Sequence, residues 1–138
     1  MTEKEKYALV ERAISAREAS YSPYSSFAVG AALLTDSGEI YTGANIESAS
    51  YTPTVCAERV AFFRAVHEGK RDFKAIAIVG GKRGFDISDF TAPCGVCRQV
   101  MAEFCQGDFE ITLYNGKVLK TYTLAELFPE SFGKSNLD

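Results

Sequence analysis

Apolar and polar positions alternate along this chain in blocks of changing period. From Glu3 to about Ser20, Tyr7, Val10, Ala13, Ile14 and Arg17 fall near a helical spacing with charges between them, which predicts an amphipathic helix. Ser22-Pro23-Tyr24-Ser25-Ser26 ends it, because proline cannot extend a helix and serine favours turns. The short apolar run from Phe27 to Leu34 predicts a strand. Asp36-Ser37-Gly38 turns the chain back into a second strand from Glu39 to Ala44. A polar loop runs from Asn45 to about Thr54. From Cys56 to about Glu68 the helical period returns, with Ala57, Val60, Ala61, Phe63, Arg64 and Ala65 on the inner side and Gly69 as the stop. Phe73 to Val79 is almost continuously apolar, as a buried strand should be. After a loop from Gly80 to Pro93, Cys94 to Cys105 reads as a third helix. Phe109 to Tyr114 and Val118 to Tyr122 flank Asn115-Gly116, a strong hairpin signal. Thr123 and Glu126 fit a capping box for a last short helix.

This order predicts an α/β fold, with a mixed sheet covered by helices on both faces. Without an internal repeat or a linker, residues 1–138 read as a single domain. Hydrophobic residues at 46% and charged residues at 24% fit a globular chain that needs no disulfide staples. The net charge of -3 provides no basic footprint for phosphates, so no nucleic-acid partner is expected. No apolar run approaches the roughly 18 residues of a membrane span. The polar start Met1-Thr2-Glu3-Lys4 leads into no signal-type apolar core, so a cytoplasmic location is expected.

Two segments carry candidate chemistry, Cys56-Ala57-Glu58-Arg59 and Pro93-Cys94-Gly95-Val96-Cys97-Arg98-Gln99. Both sit where a loop becomes a helix, where free N–H groups and positive potential favour a thiolate. Cys94 and Cys97 lie one turn apart on one helix face and can share a zinc ion, with Cys56 as third ligand. Cys105 would lie roughly 12 Å along the helix from Cys97, and His67 roughly 16 Å from Cys56, so neither joins them. Three ligands leave an open position, the mark of a catalytic rather than a structural site. Cys105 then reads as a buried thiol and His67 as a helix-end surface residue. Taken alone, Glu58 is a first-turn acid favoured by the helix dipole; beside a metal held off the helix end it could shuttle protons. Asn45 and Glu47, one strand-step apart, could face one side or simply cap a loop. Cys94-x-x-Cys97 could also belong to a structural zinc knuckle or a redox dithiol. The knuckle lacks a fourth ligand, and the dithiol leaves Cys56-x-Glu58 unexplained.

Cys-Ala-Glu followed by Pro-Cys-x-x-Cys closely resembles the signature of the zinc nucleobase and nucleoside deaminases, whose first ligand is His or Cys. The resemblance covers most of the chain and points to the small homotetrameric cytidine deaminases. Ser22 to Ala32, Gly43-Ala44-Asn45-Ile46-Glu47 and Leu127 to Gly133 resemble further segments of that family, with Phe128 where leucine is more usual. The resemblance implies a three-layer α/β/α fold around a five-stranded mixed sheet, and one Zn²⁺ per chain on Cys56, Cys94 and Cys97. It implies hydrolytic deamination of cytidine, and of deoxycytidine, in pyrimidine salvage, with Glu58 as the catalytic proton carrier and Arg59 donating to a thiolate. It assigns Asn45 and Glu47 to the ribose, Phe27 and Phe132 to packing against the base, and the Ala57 N–H to the base O2. The Cys94 carbonyl would accept from the amine, and Tyr51 would reach substrate or a neighbouring subunit. A homotetramer with shared active sites is implied as well. A blasticidin-type deaminase would keep the zinc motifs and change the pocket, and Asn45-x-Glu47 argues for a ribose instead. A nucleic-acid-editing deaminase should show a basic surface.

Overall fold

The structure is a computed structural model and describes residues 1–138. Helix α1 (Glu3–Arg17) starts at a capping box in which the Thr2 hydroxyl accepts the Glu5 N–H and the Glu5 carboxylate accepts the Thr2 N–H. It stops at Arg17 rather than running to Ser20. The Ser20 hydroxyl bonds Ser22 and Asn45 instead, and such local bonds compete with continued helix. Strands β1 (Phe27–Thr35) and β2 (Ile40–Ala44) form the expected hairpin. Helix α2 (Ala57–His67) leads to strand β3 (Phe73–Lys82), and helix α3 (Gly95–Phe104) to strands β4 (Glu110–Tyr114) and β5 (Leu119–Thr123). A short helix α4 (Leu124–Leu127) starts on the Thr123–Glu126 capping box, and a 3₁₀ turn covers Lys134–Asn136.

The sheet order is β2-β1-β3-β4-β5. The β3–β4 pair is parallel and the other neighbours are antiparallel, so the five-stranded sheet is mixed. The parallel pair requires the crossover that α3 provides. Alternation along the strands builds two cores. Leu9, Val10 and Ala13 of α1 meet Ala32, Ala75, Ala77 and Val79 on one face. Ala57, Ala61, Phe62 and Ala65 of α2, with Met101 of α3, meet Ala31, Leu33, Ile76 and Ile78 on the other. The result is the three-layer α/β/α architecture.

Three details differ from the sequence reading. Phe63 points outward at 50% exposed, while Phe62 is fully buried and its ring meets Phe73, Phe104 and Phe109 at centroid distances of 5.1, 6.2 and 6.0 Å. Tyr7 on α1 is exposed rather than inward. Strand β3 continues past Val79, because Gly80, Gly81 and Lys82 still pair with Val29, Ala28 and Phe27.

Two glycines bring the helices close to the sheet. A Cβ at Gly30 would stand 2.0 Å from Ala13 O, and one at Gly43 would stand 2.4 Å from Ala57 O and 2.6 Å from Ala61 N. Gly43 therefore seats the first turn of α2 directly on β2.

Candidate active site and metal centre

Cys56 and Cys94 are the N-cap residues of α2 and α3, and neither side chain caps its own helix. Their Sγ atoms are 3.6 Å apart, and Cys94 Sγ is 3.6 Å from Cys97 Sγ. All three sulfurs lie within 4.8 Å of one another. A tetrahedral zinc with Zn–S bonds near 2.3 Å requires sulfurs about 3.8 Å apart, so the spacing fits that ion. Burial is graded across the trio: Cys97 is buried, Cys56 half-buried and Cys94 exposed. Cys105 and His67 stay out of the cluster, Cys105 half-buried at the C-cap of α3 and His67 exposed at the end of α2.

Glu58 resolves the geometric question posed by its two-residue spacing from Cys56. The sulfurs gather off the helix start, so a side chain in the first turn can lie beside them. Glu58 is 4% exposed, and its Oε1 is buried with no hydrogen-bond partner. Burial pushes its carboxyl up to about 7, and the negative Cys56 sulfur pushes the same way. A buried, unpartnered carboxylate oxygen is costly unless something polar completes it. Three thiols and this oxygen make a donor set that suits a metal ion with a polar ligand.

Arg59 places Nη2 3.5 Å from Cys56 Sγ. The Cys97 thiol, and behind it this guanidinium, hold Cys56 below the ordinary thiol range, while Cys97 itself is raised. Two helix N-termini direct their free N–H groups toward the sulfurs, adding positive potential.

The residues expected to hold a nucleoside lie on the adjoining segments. Asn45 is 8% exposed and its amide is almost fully engaged. Oδ1 accepts from Ser20 Oγ at 2.5 Å and Val29 N at 2.9 Å, and Nδ2 donates to Phe27 O at 2.8 Å. One Nδ2 proton remains free. Glu47 accepts the N–H groups of Tyr24 at 2.9 Å and Ser25 at 3.1 Å through Oε1, and the Ser25 hydroxyl through Oε2. The Ser25 bond comes first among the causes that hold its carboxyl below the usual range. Glu47 and Tyr51 share a cavity of about 330 Å³ with Tyr24, Ser25 and Thr54. Tyr51 is 71% exposed, has a left-handed backbone (φ 63°) and meets the Tyr24 ring edge-on at 6.2 Å. Phe27 is 41% and Phe132 57% exposed, which is unusual for aromatics with a purely packing role. Gln99 Nε2 holds Phe132 O at 2.9 Å, and Arg98 donates to Pro93 O and Leu127 O. Ala57, at the start of α2, is fully buried.

Sequence reasoning passed over Tyr24, Ser25 and Thr54, which line the Glu47 cavity, and Ser20, which holds Asn45. Their signal was slight: Tyr24 and Ser25 lie in the Ser-rich turn, Ser20 just before it, and Thr54 at the end of the polar loop after β2. A larger surface cavity, about 780 Å³, lies at the far end of α3 against Cys105 and Phe128–Ser131 and contains none of these groups.

Residues 2–112 match the family model described as the cytidine and deoxycytidylate deaminase zinc-binding region. The chain is 49% identical over 131 residues to a cytidine deaminase of Sporosarcina psychrophila, covering 94% of this chain and 92% of that protein. The crystal structure of cytidine deaminase from Burkholderia pseudomallei superposes with a TM-score of 0.84 at 44% identity, covering 96% of this chain and all of that one. Blasticidin-S deaminase of Bacillus cereus is 34% identical over 110 residues, 78% of each chain. The three convergent thiols, the buried Glu58 and these likenesses agree, and the chain belongs to the cytidine and deoxycytidylate deaminase family.

Proposed function

We propose that this protein is a zinc-dependent hydrolase that converts cytidine, and deoxycytidine, to the corresponding uridine and ammonia. The observation that carries this reading is the buried, unpartnered Glu58 Oε1 beside three thiols at the start of two helices. Cys56, Cys94 and Cys97 hold the zinc, one ion per chain. Bound zinc acts as a Lewis acid that brings the pKa of a water toward neutrality, so a nucleophile is available near pH 7.

The side chains do the rest. Glu58 accepts a proton from the attacking water and passes it to ring N3, which makes C4 electrophilic. A C4–O bond forms. Glu58 then takes the remaining proton from the new C4 hydroxyl and delivers it to the departing amine; the C4–N bond breaks as C4=O forms, and ammonia leaves. One water is consumed per turnover. Burial near Glu58 suits both duties, because a carboxyl raised toward neutrality both takes and gives a proton at working pH. Three thiolates on a divalent ion leave a net charge of -1. Arg59 and the helix N-termini offset it and preserve electrophilicity.

The Ala57 N–H, at the start of α2, faces the base O2. The Cys94 carbonyl already accepts Arg98 N–H at 3.0 Å and has a second lone pair for the amine. Phe27 and Phe132 pack against the base, and the free Nδ2 proton of Asn45 and the Glu47 carboxylate meet the ribose hydroxyls. Tyr51 completes the rim toward substrate or a neighbouring subunit. Residues 1–138 form one catalytic domain, a reading supported by two cores that share one sheet. Exposed Tyr51, Phe63 and Phe132 support assembly into a homotetramer whose sites are completed across chains. A three-thiol site works only while reduced, which supports a cytoplasmic location. No helix is long and apolar enough to cross a membrane.

The test follows the loss of cytidine absorbance in the ultraviolet, with zinc measured on the same samples, for wild type and Glu58→Ala. Wild type should turn over cytidine. The variant should keep about one zinc per chain and lose nearly all activity. Zinc-loaded wild type that ignores cytidine and deoxycytidine but consumes blasticidin S would move the assignment to that branch. Wild type that binds no zinc under reducing conditions would sink the reading altogether.

A further inference from the structure

Arg17, the last residue of α1, is 8% exposed and forms no ion pair. Its guanidinium is directed at backbone oxygens. Nε donates to Ala28 O at 3.0 Å, Nη1 to Phe85 O at 3.0 Å, and Nη2 to Gly81 O at 2.9 Å and Lys82 O at 2.7 Å. Burying a cation without an anion is costly, and charge-assisted bonds to carbonyl dipoles offset that cost only where the geometry is fixed. Gly30 makes the room by admitting the end of α1 onto the sheet: an added Cβ there would stand 2.7 Å from Arg17 N.

The carbonyls it holds are not scattered. Phe27 pairs with Lys82 and Ala28 with Gly81, so Arg17 fastens the final rungs of the β1–β3 ladder. On the other edge of β1, strand β2 stops at Ala44 opposite Gly30, and Asn45 takes over. Its side chain holds Phe27 O and Val29 N, and its own N–H donates to Val29 O at 3.3 Å. The Phe27 ring lies over Gly80, with Cε2 3.0 Å from where a Cβ would stand. Residues 27–29 are thus gripped from both edges, by Asn45 and by a guanidinium on the face opposite the one that α2 and α3 cover.

We propose that Arg17 is a positioning residue of the substrate pocket: it fixes the segment that carries Phe27 and abuts Asn45, and so sets affinity for the nucleoside without touching it. This rests on the reading above that Phe27 and Asn45 meet the nucleoside. Lysine would keep the charge, but one nitrogen cannot span carbonyls of β1, β3 and the following loop.

The test measures KM, kcat and zinc content with cytidine for wild type, Arg17→Lys, Phe27→Leu and the double variant. Arg17→Lys should keep its zinc and hold kcat within about two-fold while KM rises about five- to ten-fold, the split expected when substrate binding alone is weakened. In the Phe27→Leu background the same change should raise KM by less than about two-fold, because a residue that acts through the ring loses its lever when the ring is gone. An unchanged KM with a lowered Tm, or KM effects that multiply in the double variant, would overturn the proposal. If Arg17→Lys does not fold, Arg17→Gln goes through the same cycle with the same expectation, since a single amide cannot span the same carbonyls either. A wild type that does not turn over cytidine would instead count against the functional reading.

Discussion

The two ends of the site are built on opposite plans. At the metal end the polar groups are left open: Glu58 Oε1 has no hydrogen-bond partner, and the sulfurs meet one another, Arg59 and the Glu58 side chain rather than backbone. At the end proposed to hold the nucleoside they are committed. Asn45 makes three internal bonds, and Glu47 closes the Tyr24–Ser25 turn with both oxygens. Chemistry is therefore separable from folding at the first end and fused with it at the second. A group that must exchange protons has to be held by burial alone, whereas one that only has to be in place can be locked by the backbone it serves.

That contrast can be broken in four ways, the largest effect first. Stripping the zinc with a chelator should abolish turnover, while far-ultraviolet circular dichroism stays unchanged and added zinc restores activity. Loss of secondary structure on chelation would mean that the metal end also holds the fold. Glu58→Gln should lower kcat by roughly 10²–10⁴, the usual size of a general acid–base contribution. Its Tm should not fall, because an orphaned carboxylate oxygen is exchanged for a neutral amide; a clear drop would deny that the group is kept open at a cost. Asn45→Ala should do the reverse and lose stability first. Three bonds at about 1 kcal/mol each give about 3 kcal/mol in denaturant melts, with KM raised in parallel. If KM alone responds, the amide is a ligand group and no brace. Glu47→Gln is the mildest. The amide oxygen can still accept from the turn, so the Tm should barely move, and KM for cytidine should rise about ten-fold from loss of a charged acceptor.

The sequence was most legible where local signals decide structure. The Asn115-Gly116 hairpin, the Thr123–Glu126 capping box and the starts of α2 and α3 lie where turn and cap chemistry places them. The three thiols were legible because cap position and one-turn spacing bring sulfurs together with little help from the rest of the chain. Phe62 and Phe63 were not separable by period: they are adjacent, and which one faces inward depends on how α2 is rolled on Gly43. Arg17 lay on the buried stripe of α1, but its partners are 11 to 68 residues away, so nothing local marked it as a clamp. Asn45 and Glu47 drew attention for what they could offer a sugar, and the bonds they make to residues 20–29 come only from tertiary contact.

Gly43 bears on how this protein can change over generations. Glycine and alanine codons differ by a single base, so the seat of the helix that carries Cys56 and Glu58 is one point mutation away from being filled. The added methyl would meet backbone at 2.4 and 2.6 Å, and backbone cannot rotate aside as a side chain can. Gly95, at the start of the other metal-site helix, has nothing within 4 Å of an added Cβ. The same codon change is therefore tolerable at 95 and ruinous at 43. A thermostabilising glycine-to-alanine library would enrich the one and purge the other, although one seats and the other begins a helix of the same metal site.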